Sequence, residues 1–322
     1  MADSLIYVSR LLTDRAMAHL KSLGVEVRVG DEDPPSRAEL EESIAGAGAA
    51  VVTLTERVDA ALLAAAGDQL KVVANVAVGY DNIDLDAAEA AGVTVTNTPG
   101  VLDRATADHT FALILAATRR VAEGDRFLRS REPWVWGPRM LVGLDVSAGA
   151  TLGILGYGRI GRAVAKRAQA FDMTVVASAR SRRPGTEEDG VAFVDTSTLL
   201  ATSDVVSVLT PLTPETHHLI DATALAAMKL TAYLINTARG GVVDEAALVD
   251  ALHSGQIRGA ALDVFEGEPH VNPALLDAPN LVLTPHIASA GEATRDAMGI
   301  LAIDNAAAVL AGDPPLTPVR RG

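Results

Sequence analysis

Short β-branched runs alternate with helix-length amphipathic segments along most of this 322-residue chain, and that alternation restricts the fold more than any other feature. Strands met in this order pair in parallel, because each is reached from the last by a crossover helix. Ile6–Ser9, Val25–Val29, Ala50–Leu54, Val72–Asn75 and Val93–Thr96 read as the strands of a first unit. Ser36 with Glu39 carries a capping-box pattern, and Gly24 and Gly92 stand where helices should stop. A helix is expected over Arg104–Val121, followed by an irregular stretch, Gly124–Gly149, that holds Pro133, Trp134, Trp136 and Pro138. The alternation restarts at Thr151–Leu155 and continues through Thr174–Ala177, Val205–Leu209, Tyr233–Asn236, Ala260–Val264 and Leu281–Leu283. A last helix lies near Glu292–Leu310, and Gly312–Gly322 reads as a surface tail. So many strands suit two sheets, each with its own core, better than one.

Composition narrows the class. At 49% hydrophobic and 21% charged residues the chain is globular rather than disordered, and its length suits two domains. A formal net charge of −14 argues against nucleic acid or an anionic membrane as partner, since both need a basic surface. The absence of cysteine removes disulfides, thiolate metal sites and cysteine nucleophiles. The first residues hold no basic segment followed by a long apolar run, and no later stretch is long and apolar enough to span a bilayer. A soluble, cytoplasmic protein is expected.

The sharpest local signal is Gly156-Tyr157-Gly158-Arg159-Ile160-Gly161, placed after an apolar strand and opening the expected helix Arg159–Phe171. Gly156 permits a tight turn, Gly158 lets the backbone approach a pyrophosphate, and Gly161 lets helix and strand pack closely, with the helix N-terminus facing the anion. A plain glycine turn is the duller alternative. NAD-binding chains commonly place an Asp or Glu at the end of the next strand, to bond the ribose 2′-hydroxyl. Here that strand runs into Ser178-Ala179-Arg180-Ser181-Arg182-Arg183, which has no carboxylate. Arg180, Ser181 and Arg182 suit a 2′-phosphate, so NADP(H) is expected over NAD(H), although a solvated basic loop would look the same.

Three further residues fall just beyond expected strand ends, where open α/β sheets place ligands. They are Arg239 in Asn236-Thr237-Ala238-Arg239-Gly240-Gly241, Glu268 in Asp263–Pro269 and His286 in Thr284-Pro285-His286. A cation, a carboxylate and an imidazole make a kit for reducing a 2-oxo acid. Arginine can hold the acid and polarise its carbonyl, while histidine, kept charged by the carboxylate, donates the proton. Taken singly, each could be a surface ion pair, a loop residue or a structural histidine. Asp81, Asp84 and Asp86 cluster but lack calcium-loop spacing, and one of Asp84 and Asp86 is expected to cap the helix ending at Gly92. No metal is expected.

With Val76–Asp84, Thr96–Leu102, Leu155–Gly161, Asn236–Gly240, Ala261–Pro269 and Leu283–Ser289 in order along the chain, the sequence resembles the D-isomer-specific 2-hydroxyacid dehydrogenases. Within them it is most similar to the glyoxylate/hydroxypyruvate reductase branch. The resemblance implies an α/β protein with two doubly wound parallel-sheet domains. A Rossmann cofactor domain, 100–287, is inserted into a smaller flavodoxin-like substrate domain, 1–99 and 288–322. It implies that Arg239, Glu268 and His286 form the catalytic trio, and that the amides of Val78 and Gly79 grip the substrate carboxylate. Asp263 is implied to face the nicotinamide amide, with Thr106, Thr237 and Ala238 also on the cofactor. A homodimer is implied as well.

Leu54 matches an apolar pocket residue of the glyoxylate reductases, which favours a small substrate such as glyoxylate or hydroxypyruvate, reduced to glycolate or D-glycerate. Val78 stands where the related phosphite dehydrogenases carry a lysine, which disfavours that activity. Trp136 resembles a tryptophan that some members insert into the partner subunit's active site, with ordinary dimer packing as the alternative. Two rival readings stand: an NAD-dependent dehydrogenase for another D-2-hydroxyacid, D-3-phosphoglycerate included, and a nucleotide-sensing protein akin to corepressors of this architecture. The intact trio opposes the second, and no serine-biosynthesis regulatory segment follows the last helix to support the phosphoglycerate case.

Overall fold

The computed structural model describes residues 5–320. The chain divides into two compact units, Met1–Leu102 with Ala290–Gly322, and Asp103–Ser289. The crossings fall slightly later than the sequence boundaries at 99 and 288. Helix α5 starts at Asp103, and its buried face, Ala107, Phe111 and Ile114, belongs to the second unit's core.

In the first unit β1 (Leu5–Val8), α1 (Asp14–Ser22), β2 (Glu26–Val29), α2 (Arg37–Ile44), β3 (Ala49–Val52), α3 (Ala60–Ala66), β4 (Val72–Asn75), α4 (Leu85–Ala90) and β5 (Thr94–Thr96) alternate without interruption. They build a parallel sheet in the order β2-β1-β3-β4-β5, the flavodoxin-like winding. β1, β3 and β4 are buried at every position, as a sheet covered on both faces requires. The capping box at Ser36 and Glu39 forms as the pattern predicts, and Asp84, not Asp86, caps α4 by accepting from the Ala87 amide at 2.9 Å.

The second unit opens with α5 (Asp103–Thr118) and α6 (Val121–Arg129), then runs β6 (Thr151–Leu155), α7 (Arg159–Ala170), β7 (Thr174–Ser178), β8 (Glu187–Glu188), β9 (Val191–Phe193), α8 (Thr196–Thr202), β10 (Val205–Val208), α9 (Ala222–Ala226), β11 (Tyr233–Asn236), α10 (Glu245–Ser254), β12 (Gly259–Leu262), α11 (Pro273–Leu276) and β13 (Leu281–Leu283). Its sheet order, β13-β12-β11-β10-β6-β7-β9-β8, contains the Rossmann winding, parallel except for β8. Separate cores lie on its two faces, one around Phe111, Ile114, Ile154 and Val164, the other around Val206, Leu234, Leu248 and Leu262. The chain then returns to the first unit as α12 (Glu292–Ala311), packed on α1, β3 and β4.

Two expectations are corrected. The helix expected over Arg104–Val121 ends at Thr118, because Arg120 turns left-handed (φ 54) with its guanidinium gripped by both oxygens of Glu123. A second helix, α6, then fills the start of the stretch expected to be irregular. The hairpin β8–β9 extends the edge of the Rossmann sheet, and its strands are too short to show as periodic runs. The C-terminal segment lies on the surface as expected, and it is tied down there. Val319 donates to the Val95 carbonyl at 2.9 Å and Thr317 bonds Asn97 and the buried Asn305, so this segment covers the edge strand β5 with Pro318 set in it. Among the described residues no helix is long and apolar enough to cross a membrane.

Candidate active site

The topological switch of the second unit lies at β6, between β7 and β10, and the glycine motif follows β6 there. Gly156 has φ +99, and a Cβ on it would stand 2.7 Å from the Leu209 and Thr210 backbone, so no other residue fits this turn. A Cβ on Gly161 would lie 2.5 Å from the Gly156 carbonyl oxygen, which is the close helix–strand approach the motif predicts. Gly158 is different. It caps α7, and a Cβ there meets nothing within 4 Å, leaving room in front of the helix N-terminus that fits a pyrophosphate. Arg159 is exposed beside it and Ile160 half-buried. Tyr157 turns inward instead: its ring is buried, edge-on to Phe193 at 5.1 Å, and burial pushes its phenol pKa up. The Tyr157 side chain is therefore a core residue, and its backbone belongs to the loop.

At the end of β7, Arg180 and Ser181 are exposed. Arg182 is engaged: its Nε donates to Glu188 Oε2 at 2.8 Å, and Arg162 bonds the other oxygen of the same carboxylate. Glu188 comes from the β8–β9 hairpin, so a carboxylate does reach this basic loop, from a strand that sequence reasoning missed.

The catalytic candidates sit on three adjacent parallel strands. Arg239 follows β11, Glu268 lies in the segment after β12, and His286 follows β13. His286 Nδ1 and Glu268 Oε2 are 2.6 Å apart. An ionised carboxylate only accepts, so Nδ1 carries the hydrogen and Nε2 is the nitrogen left for chemistry. The other oxygen of Glu268 accepts from the Phe265 amide at 2.8 Å, which fixes the carboxylate plane. Gly240 binds the arginine segment to this one: a Cβ on it would fall 1.9 Å from the Phe265 carbonyl carbon, so the two backbones touch. Arg239 itself is half-buried and extended, its carbonyl held by Asn236 Nδ2 at 2.9 Å and its Nη1 donating to the Ala238 carbonyl at 2.8 Å. Thr237 is buried and shares a 2.8 Å hydroxyl contact with Thr110 of α5, one turn from the buried Thr106.

Asp263 is tied into the His286 segment. Expected to face a nicotinamide amide, it is fully buried and directed into the segment carrying His286. The amides of His286, Ile287 and Ala288 converge on it, reaching its carbonyl (2.8 Å), Oδ1 (2.9 Å) and Oδ2 (2.8 Å) in turn. His286 adopts φ 53, which costs a non-glycine residue about 1–2 kcal/mol, and these bonds hold it there. Thr284 Oγ1 donates to Asp263 at 2.6 Å, and His109 Nε2 lies 3.1 Å from that hydroxyl. Burial pushes the Asp263 pKa up, but the bonds from His109, Thr284, Ile287 and Ala288 outweigh it and leave the carboxyl below its usual value. Glu245, buried at the start of α10, supports the neighbouring segment by accepting from the Glu266 amide at 2.8 Å; burial raises its pKa. Neither Glu245 nor His109 carries a motif that would single it out in sequence.

In the first unit, the carbonyls of Val78 and Gly79 accept from Asn97 Nδ2 and Asn75 Nδ2, both at 2.8 Å. Their amides have no backbone acceptor among the described residues, which leaves two donors for an anion. Leu54 is half-buried and lines a cavity of about 340 Å³ with Thr55, Asp81 and Asn82. Trp136 is 75% exposed, and α6 buries none of its residues.

A family model for the D-isomer specific 2-hydroxyacid dehydrogenase, NAD binding domain, matches residues 111–288. The chain belongs to this family. Among its relatives, a glyoxylate reductase of Thermococcus litoralis is 48% identical over 88% of this chain and 87% of its own length. A solved structure of a Thermus thermophilus protein superposes with a TM-score of 0.92 at 46% identity, covering 98% of this chain and all of that one. The NADPH-dependent glyoxylate/hydroxypyruvate reductase of Sinorhizobium meliloti, solved with NADP and malonate, superposes with a TM-score of 0.85 at 34% identity over the full length of both chains. Membership makes this chain an NAD(P)-dependent dehydrogenase of D-2-hydroxyacids with a Rossmann cofactor domain.

Proposed function

We propose that the chain reduces a small 2-oxo acid, glyoxylate or hydroxypyruvate, to the D-2-hydroxy acid with NADPH. The observation that carries the reading is the 2.6 Å His286–Glu268 bond between segments after β13 and β12, in the same sheet as β11, which Arg239 follows. Gly156–Gly161 would hold the pyrophosphate of NADPH, whose nicotinamide would supply the hydride. Arg239 takes the substrate carboxylate and polarises the carbonyl oxygen. His286 Nε2 gives its proton to that oxygen as the hydride arrives. Glu268 keeps Nδ1 protonated and the ring aligned, so that Nε2 is the donor in reduction and the acceptor in oxidation. Asp263 holds the backbone of His286 rather than the reacting atoms.

Small substrates are favoured by the apolar Leu54 and by the names of the relatives, which are glyoxylate reductases. NADPH is favoured by Arg180 and Ser181 at the end of β7 and by the NADP bound in the Sinorhizobium meliloti relative. A second reading, NAD-linked oxidation of another D-2-hydroxyacid, draws on Glu188, whose charge offsets Arg182. The exposed Val121, Leu128, Trp134, Val135 and Trp136 give α6 and the segment after it the apolar surface of a homodimer contact. Steady-state assays at the nicotinamide absorbance, with NADPH and NADH each against glyoxylate, hydroxypyruvate, pyruvate and phenylpyruvate, test the proposal. It expects the highest kcat/KM for NADPH with one of the first two acids, and it fails if neither is reduced.

A further inference from the structure

We infer that His217, His218 and Glu266 form a binding site for a divalent transition-metal ion of the zinc type. The sequence gives no hint of it, because Glu266 lies far along the chain from the two histidines. Among the described residues these three are the one group whose donor atoms could share an ion, all within 4.8 Å of one another. His218 Nε2 already bonds Glu266 Oε1. The His217 ring stacks on that of His218, with centroids 4.0 Å apart and planes 28° apart, which brings the second imidazole alongside the same carboxylate.

The backbone behind each donor is fixed. His217 donates its amide to Thr213 and His218 to Gly241, both at 2.9 Å, and Glu266 donates its amide to the buried carboxylate of Glu245. Two neutral imidazoles and a carboxylate are a donor set for zinc, and a poor one for calcium or magnesium, which call for oxygen throughout. Tetrahedral zinc at about 2.0–2.2 Å from each atom needs donors roughly 3.4 Å apart. Closing to that distance takes side-chain rotation only, since His217 and Glu266 are exposed. The ion displaces the hydrogen between His218 and Glu266 and leaves its fourth position to water.

None of these ligands belongs to the catalytic trio, so turnover does not require the ion. The ligands do join two functional segments. The His218 amide is bonded to Gly241, two residues beyond Arg239, and Glu266 precedes Glu268 by two residues. An ion here clasps the segments that carry the arginine and the glutamate, and so stabilises the second unit.

The test titrates ZnCl₂ into the untagged, metal-free full-length protein by calorimetry and follows Tm in parallel. One ion per chain and a Tm that climbs with zinc concentration are expected. His217→Ala and Glu266→Gln should each weaken binding at least about tenfold and remove the Tm shift. His286→Ala should bind zinc as the wild type does. No binding by the wild type, undiminished binding in His217→Ala, or loss of binding in His286→Ala (which would move the ion to the catalytic pair) overturns the inference. Should Glu266→Gln not fold, His217→Ala decides alone, because its side chain is exposed.

Discussion

Replacing Glu268 by glutamine isolates what the carboxylate does for His286. The amide has the same shape, but one of its two ends is now a donor. The Phe265 amide, 2.8 Å from Oε1, needs an acceptor, so the glutamine oxygen must turn toward it and present its NH₂ group to His286 Nδ1. Nδ1 then has to accept, and the ring proton moves to Nε2. The charge-assisted bond that is lost is worth about 1.5–3 kcal/mol, or roughly 10- to 160-fold in kcat. The misplaced proton adds to this, because in the oxidative direction Nε2 can no longer accept, and a comparable carboxylate-to-amide exchange behind a catalytic imidazole costs about 10⁴-fold. A fall of about 10²- to 10⁴-fold is expected for Glu268→Gln, at least as large as for Glu268→Ala, which removes the bond without imposing the wrong tautomer. Both variants are assayed under saturating NADPH and glyoxylate in reduction and with NADP and glycolate in oxidation, with circular dichroism as a check on folding. A folded Glu268→Gln enzyme with the wild-type kcat in both directions, or one much more active than Glu268→Ala, would refute the reasoning.

Three other outcomes are expected. Arg239→Ala should lower kcat/KM for the oxo acid by roughly 10- to 160-fold, with KM raised as well as kcat lowered; an unchanged KM would place the substrate carboxylate elsewhere. Arg180→Ala should raise KM for NADPH about tenfold or more while leaving KM for NADH nearly unchanged, and equal effects on the two would remove the 2′-phosphate from this loop. Asp263→Asn should destabilise the fold by roughly 1–3 kcal/mol at neutral pH, since it puts a buried donor against other donors. The folded-state pKa of Asp263 is below its ordinary 3.8, so its stabilising charge is fully present above that value and is lost as pH falls through the lower folded value. The Tm difference between wild type and Asp263→Asn should therefore be widest near neutrality and narrow in acid, and a difference that widens in acid contradicts the assignment.

The amino-acid sequence by itself determined the alternation of strands and helices, the glycine turn after β6, and three reactive side chains placed just beyond strand ends. Those features are local: a period, a φ that only glycine takes, a residue following an apolar run. What lies between distant segments was decided by the tertiary structure. Tyr157, inside a nucleotide motif, points into the core because Phe193 of an unforeseen hairpin waits there. Glu188 reaches Arg182 from that same hairpin, Asp263 accepts three successive amides of the His286 segment, and Glu266 meets two histidines remote in sequence. Residue type and spacing state which groups a strand end can offer. Which partner each one finds depends on the order in which parallel strands are laid side by side, and that order is set by burial of whole helix and sheet faces, which no single residue records.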